Sequence, residues 1–200
     1  MSPDAGGKGR ILGRIRVALE RREATELPGH FEGWRPDGAV QSGVDGFFAM
    51  LGAAGGESVY QPTESAAGAW LARFSSDFAS AAVGTTVPAA LRPPLPIGEP
   101  AVAPLGVSMA RCAIAETGSL VMDARDGRQT QLLPPTHVVF VRELDVHDTF
   151  RAALISMRAD LPSALGLHSG PSKSADIGHV MVKGVHGPGR LIAVVVGGSV

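Results

Sequence analysis

Near the end of the chain runs Leu191-Ile192-Ala193-Val194-Val195-Val196, six apolar residues without a polar one among them. A strand with one wet face alternates apolar and polar residues. An unbroken apolar run instead needs cover on both faces, as in the centre of a parallel sheet flanked by other layers. The rest of the 200-residue chain agrees: 44% of it is apolar but only 5% aromatic, with 26 glycines. A core of Val, Leu, Ile, Ala and Met with abundant Gly fits an α/β sandwich better than an all-β barrel. From Val44 to Gly84 the order helix, strand, helix, strand suggests parallel βαβ units.

Taken in order, residues 1–38 read as an N-terminal helix and a Pro/Gly-punctuated linker, and residues 39–200 as one α/β domain. Ile11, Leu12, Ile15, Ala18 and Leu19 recur at the helical period between Gly9 and Glu23, and Leu27 to Gly38 forms the linker. Val44–Ala54 predicts a helix stopped by Gly55-Gly56, and Ser58–Tyr60 a strand. Thr63 is placed to N-cap a helix reaching Phe74, and Ala81–Gly84 reads as a short buried strand. Six prolines between Pro88 and Pro104 exclude regular helix and a central strand, so this stretch reads as a surface excursion. Beyond it, strands are expected at Gly106–Ala115, Ser119–Met122, Leu132–Leu133, Val138–Val141 and Leu165–His168. Asp126-Gly127 reads as a hairpin turn, and Asp145–Met157 as a helix.

Charge and cysteine usage exclude several function classes. The formal net charge is −1, which removes the broad basic surface that nucleic-acid binding needs. The cluster Arg10, Arg14, Arg16, Arg21 and Arg22 reads as a solvated helix face. The single Cys112 excludes an intramolecular disulfide, and the chain by itself offers neither an iron–sulfur cluster nor a cysteine-rich zinc site. No metal site and no cofactor are expected. No apolar run reaches the length of a membrane span. Met1-Ser2-Pro3-Asp4 lacks a signal pattern, which makes the cytoplasm the expected compartment.

Four runs mix glycine with functional groups. In Ala115-Glu116-Thr117-Gly118-Ser119, Glu116 is a candidate acid, base or nucleophile on an inter-strand turn, or a solvated turn residue. In Leu132-Leu133-Pro134-Pro135-Thr136-His137, His137 opens a strand, as a ligand contact or as a hydrogen-bonded structural histidine. In Ser169 to Ile177, a strand–turn–helix unit would present free amides with Ser172, Lys173 and Ser174 to a phosphate or carboxylate. Alternatively, Ser172 or Ser174 caps that helix and Asp176 offsets its dipole. In Lys183 to Gly189, glycines bend the chain around His186, a candidate acid/base or anion donor. Gly170 to Gly189 thus reads as the polar lip of a small-molecule site.

Read together, Ala113–Val121, Leu132–His137, Gly170–Ile177 and Gly184–Pro188 resemble the lactate-utilisation protein C family, the LUD domain, over roughly residues 106–197. The resemblance implies a Rossmann-type sandwich with a mainly parallel sheet, similar in fold to the ribose-phosphate isomerase and CoA-transferase group. It implies a cluster-free subunit or accessory protein in the oxidation of L-lactate to pyruvate, beside iron–sulfur oxidoreductase-like partners. The site it implies holds a small anionic ligand through Thr117, Gly118, His137, Gly170, Ser172, Lys173, Ser174, Asp176 and Gly187, with Glu116 and His186 as the candidate catalytic pair. Two other readings stand beside it. One is a stand-alone acyl- or CoA-transferase-like enzyme with Glu116 as carboxylate nucleophile. The other is a structural or regulatory interaction protein. The sequence departs from the family pattern at Arg111, where an acidic residue is common, and at Lys173-Ser174, where Arg-Thr is more usual.

Overall fold

A computed structural model describes residues 7–22, 42–175 and 181–198. The linker from Leu27 to Gly38, and Asp176, lie outside the described residues. The chain divides into two compact units, Met1–Asp37 and Gly38–Val200. The first contains the helix α1 (Gly7–Glu20).

The second unit opens with α2 (Gly43–Ala53), β1 (Glu57–Gln61), α3 (Glu64–Phe74), β2 (Ala81–Val83) and β3 (Leu105–Met109). There follow β4 (Cys112–Ile114), β5 (Ser119–Asp123), α4 (Arg128–Leu132), β6 (Thr136–Arg142), β7 (Val146–His147) and α5 (Phe150–Ser156). The last described strands are β8 (Leu165–His168), β9 (Lys173–Ala175), β10 (Met181–Lys183) and β11 (Arg190–Val196).

Five strands form a sheet in the order β1-β11-β6-β3-β2, and every adjacent pair in it is parallel. The apolar run at the C-terminus becomes β11, hydrogen-bonded on both edges. Its residues alternate between two cores. Leu191, Ala193 and Val195 pack with Phe47 and Leu51 of α2. Ile192, Val194 and Val196 pack with Ala67 and Leu71 of α3. Both faces are dry, which is why no polar residue interrupts the run.

A second sheet, β7-β4-β5-β8, covers the α2 side of the first. Its inner positions Ala113, Leu120 and Met122 join the core beneath α2. Its outer positions Cys112, Ile114 and Val121 pack with Ala153 of α5 and with Met157. The mainly parallel α/β sandwich is therefore present, with an extra β layer inserted between the parallel sheet and an outer helix.

The structure corrects several local expectations. Gly106–Ala115 is not one strand. The Ala110 N–H donates to Phe140 O on the first sheet, and the next N–H, of Arg111, donates to Val121 O on the second. The chain changes sheets between these two residues, a switch that apolar composition does not signal. Leu132 ends the helix α4, and Leu133 follows it rather than forming a strand. Asp126-Gly127 accordingly leads into a helix, not a hairpin. The helix expected from Asp145 starts at Phe150, where Thr149 Oγ1 accepts the Ala152 N–H. Val146 and His147 instead pair with β4. The proline-rich stretch contains no helix longer than one 3₁₀ turn, but it is not merely superficial: Leu91 is buried beside Val107 and Val138 of the sheet. The Thr63 N-cap is present, accepting the Ala66 N–H at 3.1 Å.

Candidate functional site

The glycine-rich lip folds differently from the strand–turn–helix expected of it. Lys173–Ala175 is a strand, paired antiparallel with Met181–Lys183, so the described residues supply no helix N-terminus there. The backbone of Ser172 is engaged at both ends. Its N–H donates to Pro188 O, and its carbonyl accepts the Gly184 N–H. Gly187 lies so close that a Cβ there would meet Ser172 Cβ at 3.2 Å. The bend thus holds a ribbon together with its own polar groups. His186 is exposed at its tip.

Three of the predicted residues converge on α2. Gly118 has φ +60, and a Cβ there would lie 2.2 Å from Leu51 N. A Cβ on Gly170 would lie 2.9 Å from Ala54 O. Lys173 Nζ donates to that same carbonyl, placing a positive charge at the C-terminal end of the helix, where the dipole favours it. Glu116 Oε1 accepts the Phe150 N–H at 2.6 Å, so the carboxylate sits on the first turn of α5. The Thr117 hydroxyl is 2.7 Å from Ser119 Oγ, which is 2.6 Å from Ser169 Oγ.

His137 is wholly buried near the amino end of β6. Its Nε2 is 3.0 Å from Ser108 Oγ, while Nδ1 has no hydrogen-bond partner among the described residues. Burial, aided by the neighbouring His168, pulls its pKa down to about 3 from 6.5. Burial lowers His168 too. The unfolded chain therefore takes up a proton as the pH falls through 6.5, while folded His137 stays neutral until about 3. Stability is greatest above pH 6.5 and falls between 6.5 and 3, at up to about 1.4 kcal/mol per pH unit for one such histidine. Urea denaturation at several pH values across that window is expected to show the decline. His137→Gln should flatten it by one proton.

The large cleft lies elsewhere. A cavity of about 810 Å³ opens at the carboxyl ends of the parallel strands. Met109 ends β3, Arg142 ends β6, Val196 ends β11 and leads into Gly197-Gly198, and Thr63 to Ser65 begin α3 just after β1; all of them line it. The second sheet contributes Arg111, Asp123 and Arg125. Ligands of open α/β sheets settle outside the carboxyl ends of the strands, where diverging connections leave a crevice. The predicted lip and His137 sit at the amino ends instead. The seven residues of β6 put roughly 20 Å between the two ends. None of the residues that the sequence proposed as catalytic or ligand-binding lines this cleft, although Arg111, noted for departing from the family pattern, does.

The polar lining is ordered by ion pairs. Arg125 Nε donates to Asp123 Oδ2 at 2.6 Å, and Arg142 Nε to Asp145 Oδ2 at 2.5 Å. Arg111 reaches Asp123 at 3.4 Å and Asp160 at 3.0 Å. Beneath them, the buried Asp126 carboxylate accepts the Thr86 N–H at 2.7 Å and the Met109 N–H at 2.8 Å. It thereby fixes the backbone where β2 and β3 end. No group of three or more His, Cys, Asp or Glu arranged for a metal ion occurs among the described residues. One signal for this cleft was present in the sequence: Arg142 directly follows the apolar run Val138–Val141, as a residue at a strand's carboxyl end does.

Residues 101–196 match the family model described as the LUD domain. The match covers just under half of the chain. Both the cleft residues Arg111, Arg125 and Arg142 and the predicted Glu116 and Lys173 fall inside it. The chain is similar to the lactate utilization protein C of Deinococcus radiodurans, 40% identical over 90 residues that make up 42% of each chain. The protein of the same name from Macrococcus caseolyticus is 34% identical over 100 residues, 46% of this chain and 43% of that one. The matches span less than half the length of these curated relatives. A crystal structure of a DUF162 family protein from Deinococcus radiodurans superposes with a TM-score of 0.59, over 77% of this chain and 96% of that one, at 22% identity. At that identity the likeness carries the fold alone. No helix among the described residues is long and apolar enough to cross a membrane.

Proposed function

We propose that this chain serves lactate utilisation as a cluster-free subunit, binding a small organic anion in the cleft at the carboxyl ends of its parallel sheet. The observation that carries the reading is the cleft itself. Guanidinium groups line it at the strand ends where α/β sheets hold ligands, within a LUD domain similar to proteins named for lactate utilization. In this reading, the oxidation of L-lactate to pyruvate takes place with iron–sulfur oxidoreductase-like partners, and the present chain supplies binding and positioning. The carboxylate-nucleophile reading loses ground, because Glu116 holds the α5 amide and does not line the cleft.

Two measurements test the proposal. L-lactate or pyruvate at a hundredfold over Kd is expected to add about 2.7 kcal/mol of stability. For a domain of this size that raises Tm by roughly 5–10 °C. The double variant Arg125→Gln/Arg142→Gln should abolish the rise while melting normally without ligand. In cells, deletion of the chain should impair growth on L-lactate, and the tagged chain should co-purify with the iron–sulfur proteins. Undiminished growth and no association would remove the subunit role.

A further inference from the structure

Three arginines line the cleft, but they are not equally free. Arg111 directs Nη1 to the carboxylates of Asp123 and Asp160, and Nη2 to the Asp160 carbonyl. Arg125 and Arg142 are each tethered through Nε alone, to Asp123 and Asp145. Their terminal nitrogens have no hydrogen-bond partner among the described residues. A guanidinium held by Nε keeps its plane and presents the paired Nη1 and Nη2 donors, the edge that matches the two oxygens of a carboxylate. Arg125 is fixed further. Its backbone N–H donates to Asp123 Oδ1 at 2.9 Å, and its carbonyl accepts the Thr85 hydroxyl at 2.7 Å.

The two forks come from different sheets, Arg142 at the end of β6 and Arg125 just beyond β5, yet line one cleft. Apolar Met109, Ala110 and Val196 share that lining. The carboxylates of Glu64, Asp123, Asp145 and Asp160 also line it, so four negative charges stand against three positive ones. That balance leaves no net positive field to attract an anion by charge alone. It suits groups recognised by fork geometry, each at an ion pair already neutral.

We infer that Arg125 and Arg142 form a two-point clamp for an organic acid with a carboxylate at each end and a largely apolar spacer between them. This inference rests on the reading that the cleft binds an anion, and goes beyond a three-carbon monocarboxylate, which engages one fork only.

Isothermal titration of the full chain with acetate, L-lactate and the straight-chain dicarboxylates from succinate to adipate tests it. One dicarboxylate length should bind about tenfold or more tighter than any monocarboxylate, a difference of about 1.4 kcal/mol. Arg125→Lys and Arg142→Lys keep the charge and lose the fork, so each should reduce that ligand to the monocarboxylate level. Equal affinity for L-lactate and every dicarboxylate, with one lysine variant silent, overturns the clamp and leaves the cleft reading standing. Tight dicarboxylate binding that neither variant alters places the ligand elsewhere and also overturns it. If no anion binds the native chain at all, the clamp and the cleft reading fall together.

Discussion

Gly118→Ala is expected to cost the domain about 2–5 kcal/mol. Two effects combine. At φ +60 a residue with a Cβ pays the left-handed penalty, and the new carbon would lie 2.2 Å from Leu51 N and 2.5 Å from Met50 C. Those atoms are backbone of the last turn of α2, whose Phe47 and Leu51 are fully buried, so the helix cannot yield without disturbing the core it shares with β11. Gly127→Ala supplies the comparison. Its φ of +77 and ψ of 124 carry a conformational cost of about 1–3 kcal/mol for a residue with a Cβ, but the nearest atom to that Cβ is Thr130 Oγ1 at 3.8 Å, so no clash with a neighbouring element is added. Chemical denaturation of both variants checks the prediction. Equal stability of the two would show that the turn does not bear on α2.

Asp126→Ala should remove about 2–5 kcal/mol and weaken anion binding in the cleft as well. The carboxylate is buried and is the hydrogen-bond acceptor recorded for the Thr86 and Met109 amides. Its loss strands two donors, at about 1–3 kcal/mol each. Gly84 confirms how tightly the group is held, since a Cβ there would lie 2.2 Å from Asp126 Cγ. Thr86 and Met109 both line the cleft, so relaxation of that backbone shifts the walls of the site. Asp126→Asn retains one acceptor and should lose about half as much. Denaturation and ligand titration on both variants test the pair of effects. A destabilised Asp126→Ala that binds anions with native affinity would separate Asp126 from the site.

The candidate site was less legible than the fold. Gly118, Gly170 and Lys173 attract notice as members of a glycine-rich, polar pattern, and they do meet at one place. That place is α2, whose backbone approaches the two glycines and whose last carbonyl takes the lysine. A close backbone contact and a ligand contact demand the same residue types, so local sequence cannot separate them. Arg125 and Asp123 drew no attention because their importance comes from lining one cleft with Arg142, Thr63 and Val196, which belong to other elements. Asp126 read as a turn signal for a similar reason: the amides it holds belong to Thr86, 40 positions back, and Met109, 17 back.

By itself, the sequence determined the class of the fold and the identity of an interior strand of its sheet. Uninterrupted apolar residues have a low free energy only where both faces are dry, and that condition is local to Leu191–Val196. It also determined the Thr63 cap, the helix stop at Gly55 and the likeness to the LUD domain. The tertiary structure alone decided which end of the sheet carries the cleft. Parallel strands all point one way, so their carboxyl ends gather residues from Thr63 to Gly198 into one crevice, and no window along the chain contains them together. The same gathering turned Arg111, a departure from the family pattern, into part of the cleft wall beside Asp123 and Asp160.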